Sequence, residues 1–252
     1  MFERVLPLHI RRLAAAGRGA PPTGCRQPEA AVLDGVVDGP SGSEAVVELR
    51  VVQASTGSEA VVVWDAALVL AYYLEHRQEA LRLDQGPQTV LELGSGTGAV
   101  GLVAAALGAR TVLTDLPEVL PLLERNIDLN RRVLDGPAQA RALPWGHDHL
   151  DRVSDLLDPG VDYILVSDCV YYEAALEPLI DTLVALSRAQ TRVLVSYEER
   201  TSPTQVAVQR RFRELVERHF RIHPVPPAEC HPDYACPEIK LWTLEKRPSL
   251  SV

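Results

Sequence analysis

The sequence predicts an α/β protein whose mostly parallel β-sheet is covered by helices on both faces. From residue 46 onward, short apolar runs typical of buried strands alternate with segments that show helical spacing of apolar residues. One of these runs leads directly into a glycine-rich loop that opens a helix. A chain of 252 residues, 46% hydrophobic and 23% charged, is expected to form one folded domain with a full core.

The elements follow from these patterns in chain order. Residues 46–54 alternate as a strand, and residues 66–81 have the apolar spacing of a helix. Further strands are predicted at 89–93, 111–114, 138–143, 163–167 and 192–196, and further helices at 97–107, 117–130, 174–187 and 204–219. Segments 220–225 and 239–244 are predicted to close the sheet as an antiparallel pair.

Residues 1–44 show little periodic apolar pattern and include Pro- and Gly-rich stretches. They predict a flexible extension, followed by a folded domain over residues 45–252. The first twenty residues are rich in arginine with a single acid, Glu3, a pattern shared with mitochondrial transit peptides. They lack the Ser and Thr of such peptides, so a variable extension on a cytoplasmic protein is the preferred interpretation.

Composition limits the partners. The net charge of −9 argues against nucleic-acid binding, which needs basic surface, and favours a basic protein or peptide. No apolar run reaches the roughly 18 residues that a membrane-spanning helix needs, so no membrane partner is expected. The four cysteines fit no standard zinc spacing and no tight disulfide framework, so no metal is predicted and a reducing compartment is indicated.

The glycine loop is the most informative feature, and its glycines can be aligned in two ways. Gly96-x-Gly98-x-x-Gly101 satisfies the dinucleotide-binding pattern. Gly94-x-Gly96-x-Gly98 uses the glycines from the first loop residue onward, because the apolar strand ends at residue 93. The second alignment is favoured because the first leaves residues 94 and 95 as an unexplained insertion. Either one indicates a cofactor that carries a nucleoside.

Other polar and aromatic residues follow the predicted strands. Asp115, Trp145 and Asp168 each come just after a strand, and ligands of open α/β sheets bind beyond the carboxyl ends of the strands. The Asp115 carboxylate is placed to accept hydrogen bonds from ribose hydroxyls, and Trp145 is placed to stack on a base. Asp168 could instead cap the next helix, and Trp64 could be a core residue.

With these residues the chain resembles methyltransferase family 16, the lysine methyltransferases of the seven-β-strand class. The resemblance covers residues 46 to the C-terminus. It is carried by six motifs: Val63-Trp64-Asp65-Ala66-Ala67, Leu91-Glu92-Leu93-Gly94-Ser95-Gly96-Thr97-Gly98-Ala99-Val100-Gly101, Thr114-Asp115-Leu116, Trp145-Gly146, Asp168-Cys169-Val170-Tyr171-Tyr172-Glu173, and Tyr197-Glu198-Glu199-Arg200-Thr201.

The resemblance implies a class I, Rossmann-like fold with a seven-stranded sheet, and S-adenosylmethionine (SAM) as cofactor, released as S-adenosylhomocysteine. It implies that the cofactor is held by Trp64, Glu92, Gly94, Gly96, Gly98, Asp115, Trp145 and Ser167, and that Asp168 and Tyr171 are catalytic and face a lysine. It also implies a protein substrate, an AAA ATPase or chaperone such as valosin-containing protein. Ser167 stands where a small residue such as alanine is familiar, and residues 224–237 diverge.

Three alternatives stay open from the sequence. One is a methyltransferase that acts on a small molecule or a nucleic acid. The second is a nicotinamide-dependent oxidoreductase, which would use the other glycine alignment. The third is a module that binds SAM without catalysis. The residues at 198–200 are interpreted as a solvated turn.

Overall fold

The computed structural model describes residues 1–11, 36–38, 44–53, 61–86 and 88–248. A seven-stranded sheet forms its centre. Its strands are β4 (Thr89–Leu93), β5 (Arg110–Asp115), β6 (Ala138–Ala142), β7 (Tyr163–Ser167), β8 (Arg192–Glu198), β9 (Phe220–Pro224) and β10 (Ile239–Lys246). They lie in the order β6-β5-β4-β7-β8-β10-β9. Because β10 runs antiparallel to both neighbours and the other pairs are parallel, the predicted fold class is confirmed.

Helices cover both faces of this sheet. They are α1 (Asp65–His76), α2 (Gln78–Leu81), α3 (Ala99–Ala106), α4 (Leu120–Asn130), α5 (Ser154–Leu157), α6 (Glu173–Leu186) and α7 (Pro203–His219). In β4, Val90 packs with α1 and α3 in one core cluster, whereas Leu91 and Leu93 pack with α6 and α7 in the other. This alternation follows from the two-residue period of a strand, and it turns Glu92 toward the α3 face.

Most predicted boundaries lie within a few residues of the observed ones, and two differ for clear reasons. The helix predicted over 66–81 is interrupted at Arg77, which joins α1 to the short helix α2. The helix predicted from residue 117 begins at Leu120, with Pro121 in its first turn, where its missing N–H costs nothing.

The N-terminal residues give a correction. The expectation of a flexible segment over residues 1–44 does not hold for β1 (Phe2–Arg11), which pairs antiparallel with β3 (Glu44–Gln53), as does β2 (Val36–Asp38). Leu6, Leu8 and Ile10 are buried on this second sheet. Pro7 is tolerated because β1 is an edge strand. Residues 12–35 and 39–43 of the predicted extension lie outside the described residues.

Two asparagines on α4 tie the second sheet to the main domain. The Asn126 side chain accepts a hydrogen bond from Val52 N–H (2.8 Å) and donates to the Val52 carbonyl (3.0 Å) and the Thr97 carbonyl (2.8 Å). Asn130 makes the same pair of bonds to the backbone of Arg50. The glycine loop is therefore fixed to β3 through a fully buried amide. None of the described helices has the length and apolar character to cross a membrane.

Candidate active site

A cavity of about 520 Å³ opens at the carboxyl ends of the parallel strands. Because β4 pairs with both β5 and β7, the loops after these three strands meet at one edge of the sheet. Nine of the sequence-predicted site residues line the cavity: Trp64, Glu92, Gly94, Gly96, Asp115, Trp145, Ser167, Asp168 and Tyr171. Gly98 is the predicted residue that lies outside its wall.

Gly98 has a packing role at the start of α3. Its φ of +82° is left-handed, and a Cβ there would lie 2.6 Å from Leu123 and 2.9 Å from Leu113. Gly101, which belongs to the other glycine alignment, also has no room for a side chain: a Cβ would lie 2.5 Å from Glu92 Oε2. The overlapping glycine patterns thus serve the close approach of α3 to the sheet as well as the cavity.

Gly94 is where the loop touches the cavity wall most tightly. Its φ is +64°, and a Cβ would lie 2.7 Å from Cys169 Sγ and 2.9 Å from Trp145 Cζ2. The next residue, Ser95, fastens the loop to β5: its N–H donates to the Thr114 carbonyl (2.9 Å), and its hydroxyl accepts from Thr114 N–H (3.0 Å). The loop is therefore held in place before any ligand binds.

Asp115 presents a buried carboxylate at the end of β5. One oxygen accepts from Gly96 N–H (2.7 Å) and the other from Leu116 N–H (2.7 Å). Burial raises the pKa of Asp115, and these two hydrogen bonds lower it. Each oxygen keeps a second lone pair, so both can accept a further hydrogen bond from a donor in the cavity.

Glu92 lies deeper in the same wall and is only 1% exposed. Its Oε2 accepts from Gly101 N–H (3.0 Å), and its Oε1 is buried without a hydrogen-bond partner in the described part of the chain. Burial raises the pKa of Glu92 to about 8. The carboxyl group is therefore protonated at neutral pH, and its free oxygen is a site for a donor from a ligand.

The raised pKa of Glu92 is expected to make the stability of the protein depend on pH. Between about pH 4.5 and pH 8, folded Glu92 holds a proton that the unfolded chain has released, so the free energy of unfolding falls as pH rises through this window. Glu92→Gln, which cannot titrate, is expected to lose this slope, a difference on the order of a few kcal/mol across the window. Urea unfolding of both proteins at a series of pH values checks it. Parallel curves for the two proteins would contradict the assignment.

Asp168 follows β7 in a left-handed conformation, with φ +52°. Its Oδ2 lies 3.2 Å from Arg200 Nη2, and its Oδ1 accepts weakly from Glu198 N–H (3.4 Å). Burial raises the pKa of Asp168, and the Arg200 guanidinium opposes this rise. Helix α6 begins at Glu173 with Tyr172 as its N-cap residue, so the alternative that Asp168 caps this helix is wrong.

Aromatic side chains surround the cavity mouth. Trp64 is 39% exposed, so the interpretation of Trp64 as a core residue is wrong. Trp145 is held by the next residue, because Gly146 N–H donates to Thr182 Oγ1 (2.8 Å) on α6. Tyr171 is 41% exposed and lines the cavity beside Asp168.

Two residues at this edge were not singled out from the sequence. Arg200 was interpreted as part of a solvated turn, yet it pairs with Asp168 and its Cζ lies 5.9 Å from the centre of the Trp64 ring. Its position just beyond β8 was the available signal, since the other candidates also follow strands. Cys169 is buried, and its Sγ packs under Gly94, which no sequence pattern indicated.

Cys230, His231 and Cys236 lie close together in the sequence, and none of the three lines this cavity. His231, between Cys230 and Cys236, packs its ring against Tyr72 and Tyr234. Within the residues that the structure describes, no three His, Cys, Asp or Glu side chains are grouped to hold a metal ion.

The sheet order, the glycine loop after β4 and the acid after β5 define a class I SAM-dependent methyltransferase. Comparison with known proteins narrows this class. A family model described as lysine methyltransferase, methyltransferase family 16, matches residues 44–219, and the chain belongs to this family. The family resemblance seen in the sequence is thereby confirmed.

Curated relatives agree with this family, and a solved structure shares the fold. The mouse protein named protein-lysine methyltransferase METTL21E is 38% identical over 157 residues, 62% of this chain and 62% of its own length. EEF1A lysine methyltransferase 3 of Xenopus tropicalis is 35% identical over 63% of this chain and 65% of its own length. The chain thus matches somewhat less than two thirds of each relative. A predicted O-methyltransferase of Agrobacterium tumefaciens shares the fold, with a TM-score of 0.51 at 18% identity over 74% of this chain and 82% of that one.

Proposed function

We propose that this protein transfers a methyl group from SAM to the amine of a lysine side chain in a protein substrate. The observation that carries the proposal is that Asp168 and Tyr171 line the same cavity as the glycine loop and Asp115. The chain's membership of the lysine methyltransferase family supports the same reaction.

The residues present fit SAM. Glu92 Oε1 is a buried acceptor without a partner in the described chain, suited to the amino group of the methionine part. Asp115 suits the ribose hydroxyls, and Trp145, packed against Gly94, offers an aromatic face to the adenine. Trp64 and Ser167 complete the wall near the reacting end. When bound, SAM supplies a methyl group already activated by its sulfonium, so the protein needs only to orient and desolvate the amine.

Asp115 provides a test of this fit. Asp115→Ala is expected to weaken SAM binding by about tenfold to a hundredfold, because it removes a charged acceptor and leaves the N–H groups of Gly96 and Leu116 unpaired. Calorimetric titration with SAM measures the change. Asp155→Ala is the matched control, since Asp155 pairs with Arg141 outside the cavity. Equal SAM affinities for Asp115→Ala and the wild type would contradict the assigned role.

Asp168 and Tyr171 act on the lysine in this proposal. Free lysine has a pKa of about 10.4 and arrives protonated. The Asp168 carboxylate accepts a hydrogen bond from the ammonium group and aims it, while the Tyr171 ring contacts the stem and the charge. Apolar and aromatic surroundings lower the pKa of the lysine, which favours release of its proton before attack.

The net charge of −9 favours a substrate whose lysine lies in a basic segment. Two proteins are proposed as first substrates: valosin-containing protein, from the resemblance of the sequence motifs, and EEF1A, from the name of the frog relative.

The experiment incubates the purified protein with radiolabelled SAM and each candidate in turn, and measures label on the candidate. Incorporation into either supports the proposal. If SAM binds but no protein substrate, including proteins of a cell extract, becomes labelled, the proposal fails. Transfer to a small molecule or to nucleic acid would then favour the corresponding alternative, and SAM binding without any transfer would favour a non-catalytic module.

A further inference from the structure

The Asp168 carboxylate already has a cation beside it. Arg200 Nη2 lies 3.2 Å from Asp168 Oδ2, and the guanidinium carbon lies 5.9 Å from the centre of the Trp64 ring. A carboxylate and an aromatic face are two groups that attract an alkylammonium ion in proteins. The guanidinium therefore occupies a position whose chemistry suits the head of a lysine side chain.

This pair is built by the fold. Asp168 follows β7 and Arg200 follows β8, and these neighbouring parallel strands pair up to Ser167, which lies opposite Ser196 two residues before the end of β8. The Asp168 side chain is only 8% exposed, and that of Arg200 is 28% exposed. The loop that carries Arg200 is itself fixed, because the Arg200 carbonyl accepts from Gln209 Nε2 (3.3 Å) on α7.

Arg200 has a second anionic partner on its outer side. Its Nε lies 3.0 Å from Glu198 Oε2, and the Glu198 side chain is 48% exposed. A guanidinium moved away from Asp168 would thus keep a carboxylate and gain contact with water, so its displacement leaves no unpaired buried cation. Asp168 lines the cofactor cavity and Arg200 does not, which means that Arg200 reaches Asp168 from outside the cavity.

We propose that Arg200 is an internal counter-ion that occupies the ammonium position on Asp168 and moves away from Asp168, keeping its contact with Glu198, when the substrate lysine enters. This inference rests on the proposed function, since it assigns the position vacated by Arg200 to the substrate. Arg200 is a positioning residue that acts through Asp168. It keeps that carboxylate ionised between turnovers, and the substrate lysine must displace it from Asp168 in order to bind.

The inference has a pH signature. The charged groups that face Asp168 are Glu198 at the end of β8, Arg200 just beyond it, and Asp65 at the start of α1. Burial and the negative charges of Glu198 and Asp65 raise the pKa of Asp168, whereas the Arg200 charge and the hydrogen bond from Glu198 N–H lower it. Loss of the Arg200 charge therefore raises the pKa of Asp168 further. If activity needs ionised Asp168, the variant loses activity at a higher pH than the wild type does when the solution is acidified.

The kinetic test compares R200Q with the wild type, using the protein substrate found in the labelling experiment. At mildly alkaline pH, where Asp168 is ionised in both proteins, R200Q is expected to lower KM for the substrate by about threefold to fivefold. This factor corresponds to the interaction free energy of one partly exposed ion pair. The kcat of R200Q should change little at this pH. The acid limb of its activity–pH curve, where activity falls as Asp168 is protonated, should move to higher pH. R200K, which keeps the charge, is expected to restore the position of the acid limb.

R213Q is the matched control. Arg213 also pairs with a carboxylate, Glu217, at 2.9 Å, and its Cζ lies 5.9 Å from the centre of the Trp242 ring, away from the cavity. R213Q should leave both KM and the acid limb unchanged. A rise in KM for R200Q, or an unchanged KM with an unchanged acid limb, would overturn the inference.

A second readout needs no turnover. Carbon NMR of the Asp168 carboxyl group, assigned with Asp168→Asn, is expected to report a higher pKa in R200Q than in the wild type. n-Butylammonium chloride should shift this resonance at a lower concentration in R200Q. If the wild type methylates no lysine but the NMR differences occur, the proposed function fails and the cation position stands. If the wild type methylates lysine and R200Q changes neither kinetics nor NMR, the inference alone fails.

Discussion

Asp168→Asn is expected to lower kcat for lysine methylation by about 10²-fold to 10³-fold, the effect of losing a charged group that positions a proton-bearing reactant. The substitution keeps the shape of the side chain and removes its charge. The neutral amide cannot attract the ammonium group, and it leaves Arg200 with Glu198 as its anionic partner. Steady-state kinetics with a saturating protein substrate measure the effect.

SAM affinity separates this result from general damage to the site. Because Asp168 contacts the substrate side of the cavity in this account, the variant is expected to bind SAM within about twofold of the wild type. Asp148→Asn, an exposed acid in the segment after Trp145 that does not line the cavity, is the control and should keep full activity. Full turnover by Asp168→Asn with intact SAM binding would show that Asp168 has no role in catalysis.

Gly94→Ala is expected to damage both folding and cofactor binding. The new Cβ would lie 2.7 Å from Cys169 Sγ and 2.9 Å from Trp145 Cζ2, and the residue would have to keep a φ of +64°. Overpacking and the left-handed conformation together are expected to lower the free energy of unfolding by about 2 to 4 kcal/mol. Displacement of Trp145 is expected to weaken SAM binding by at least about tenfold, since base stacking and loop position are lost together.

Gly86→Ala is the matched control for the backbone term. Gly86 also has a positive φ, +88°, but a Cβ there meets nothing within 4 Å. It should lose about 1 kcal/mol of stability from the left-handed conformation alone and keep its SAM affinity. Thermal unfolding and calorimetric titration of the two variants distinguish the cost of the left-handed backbone from the cost of the close contacts around Gly94. Equal losses in both would mean that the contacts of Gly94 with Trp145 and Cys169 carry no weight.

The sheet could be predicted from the sequence because its strands are short apolar runs with clear limits. Strands β4 and β7 were placed at their observed bounds, 89–93 and 163–167, since each run ends at a polar or glycine residue. The strand β1 was not predicted. Pro7 and a pair of arginines obscure its alternation of apolar and polar residues. Its partner β3 lies far along the chain, so the strand is stabilised by pairing with β3 and is not evident from the local sequence pattern.

Some features of the candidate site could likewise be predicted from the sequence, and others could not. Residues that follow strands directly, such as Gly94, Asp115 and Asp168, could be assigned to one edge because parallel strands align their carboxyl ends. The partnership of Asp168 with Arg200 could not, because it depends on the left-handed backbone at Asp168 and on a loop fixed by α7. The raised pKa of Glu92 likewise depends on burial beneath α3, which no motif reports.

The position of the transferred methyl group shows whether this protein methylates lysine. Wild-type protein and Asp168→Asn are incubated with SAM and with valosin-containing protein or EEF1A, and each substrate is analysed by intact and peptide mass spectrometry. We expect one or more methyl groups on the side-chain nitrogen of a single lysine with the wild type, and almost none with the variant. Methylation on another type of residue, or equal methylation by both proteins, would contradict it.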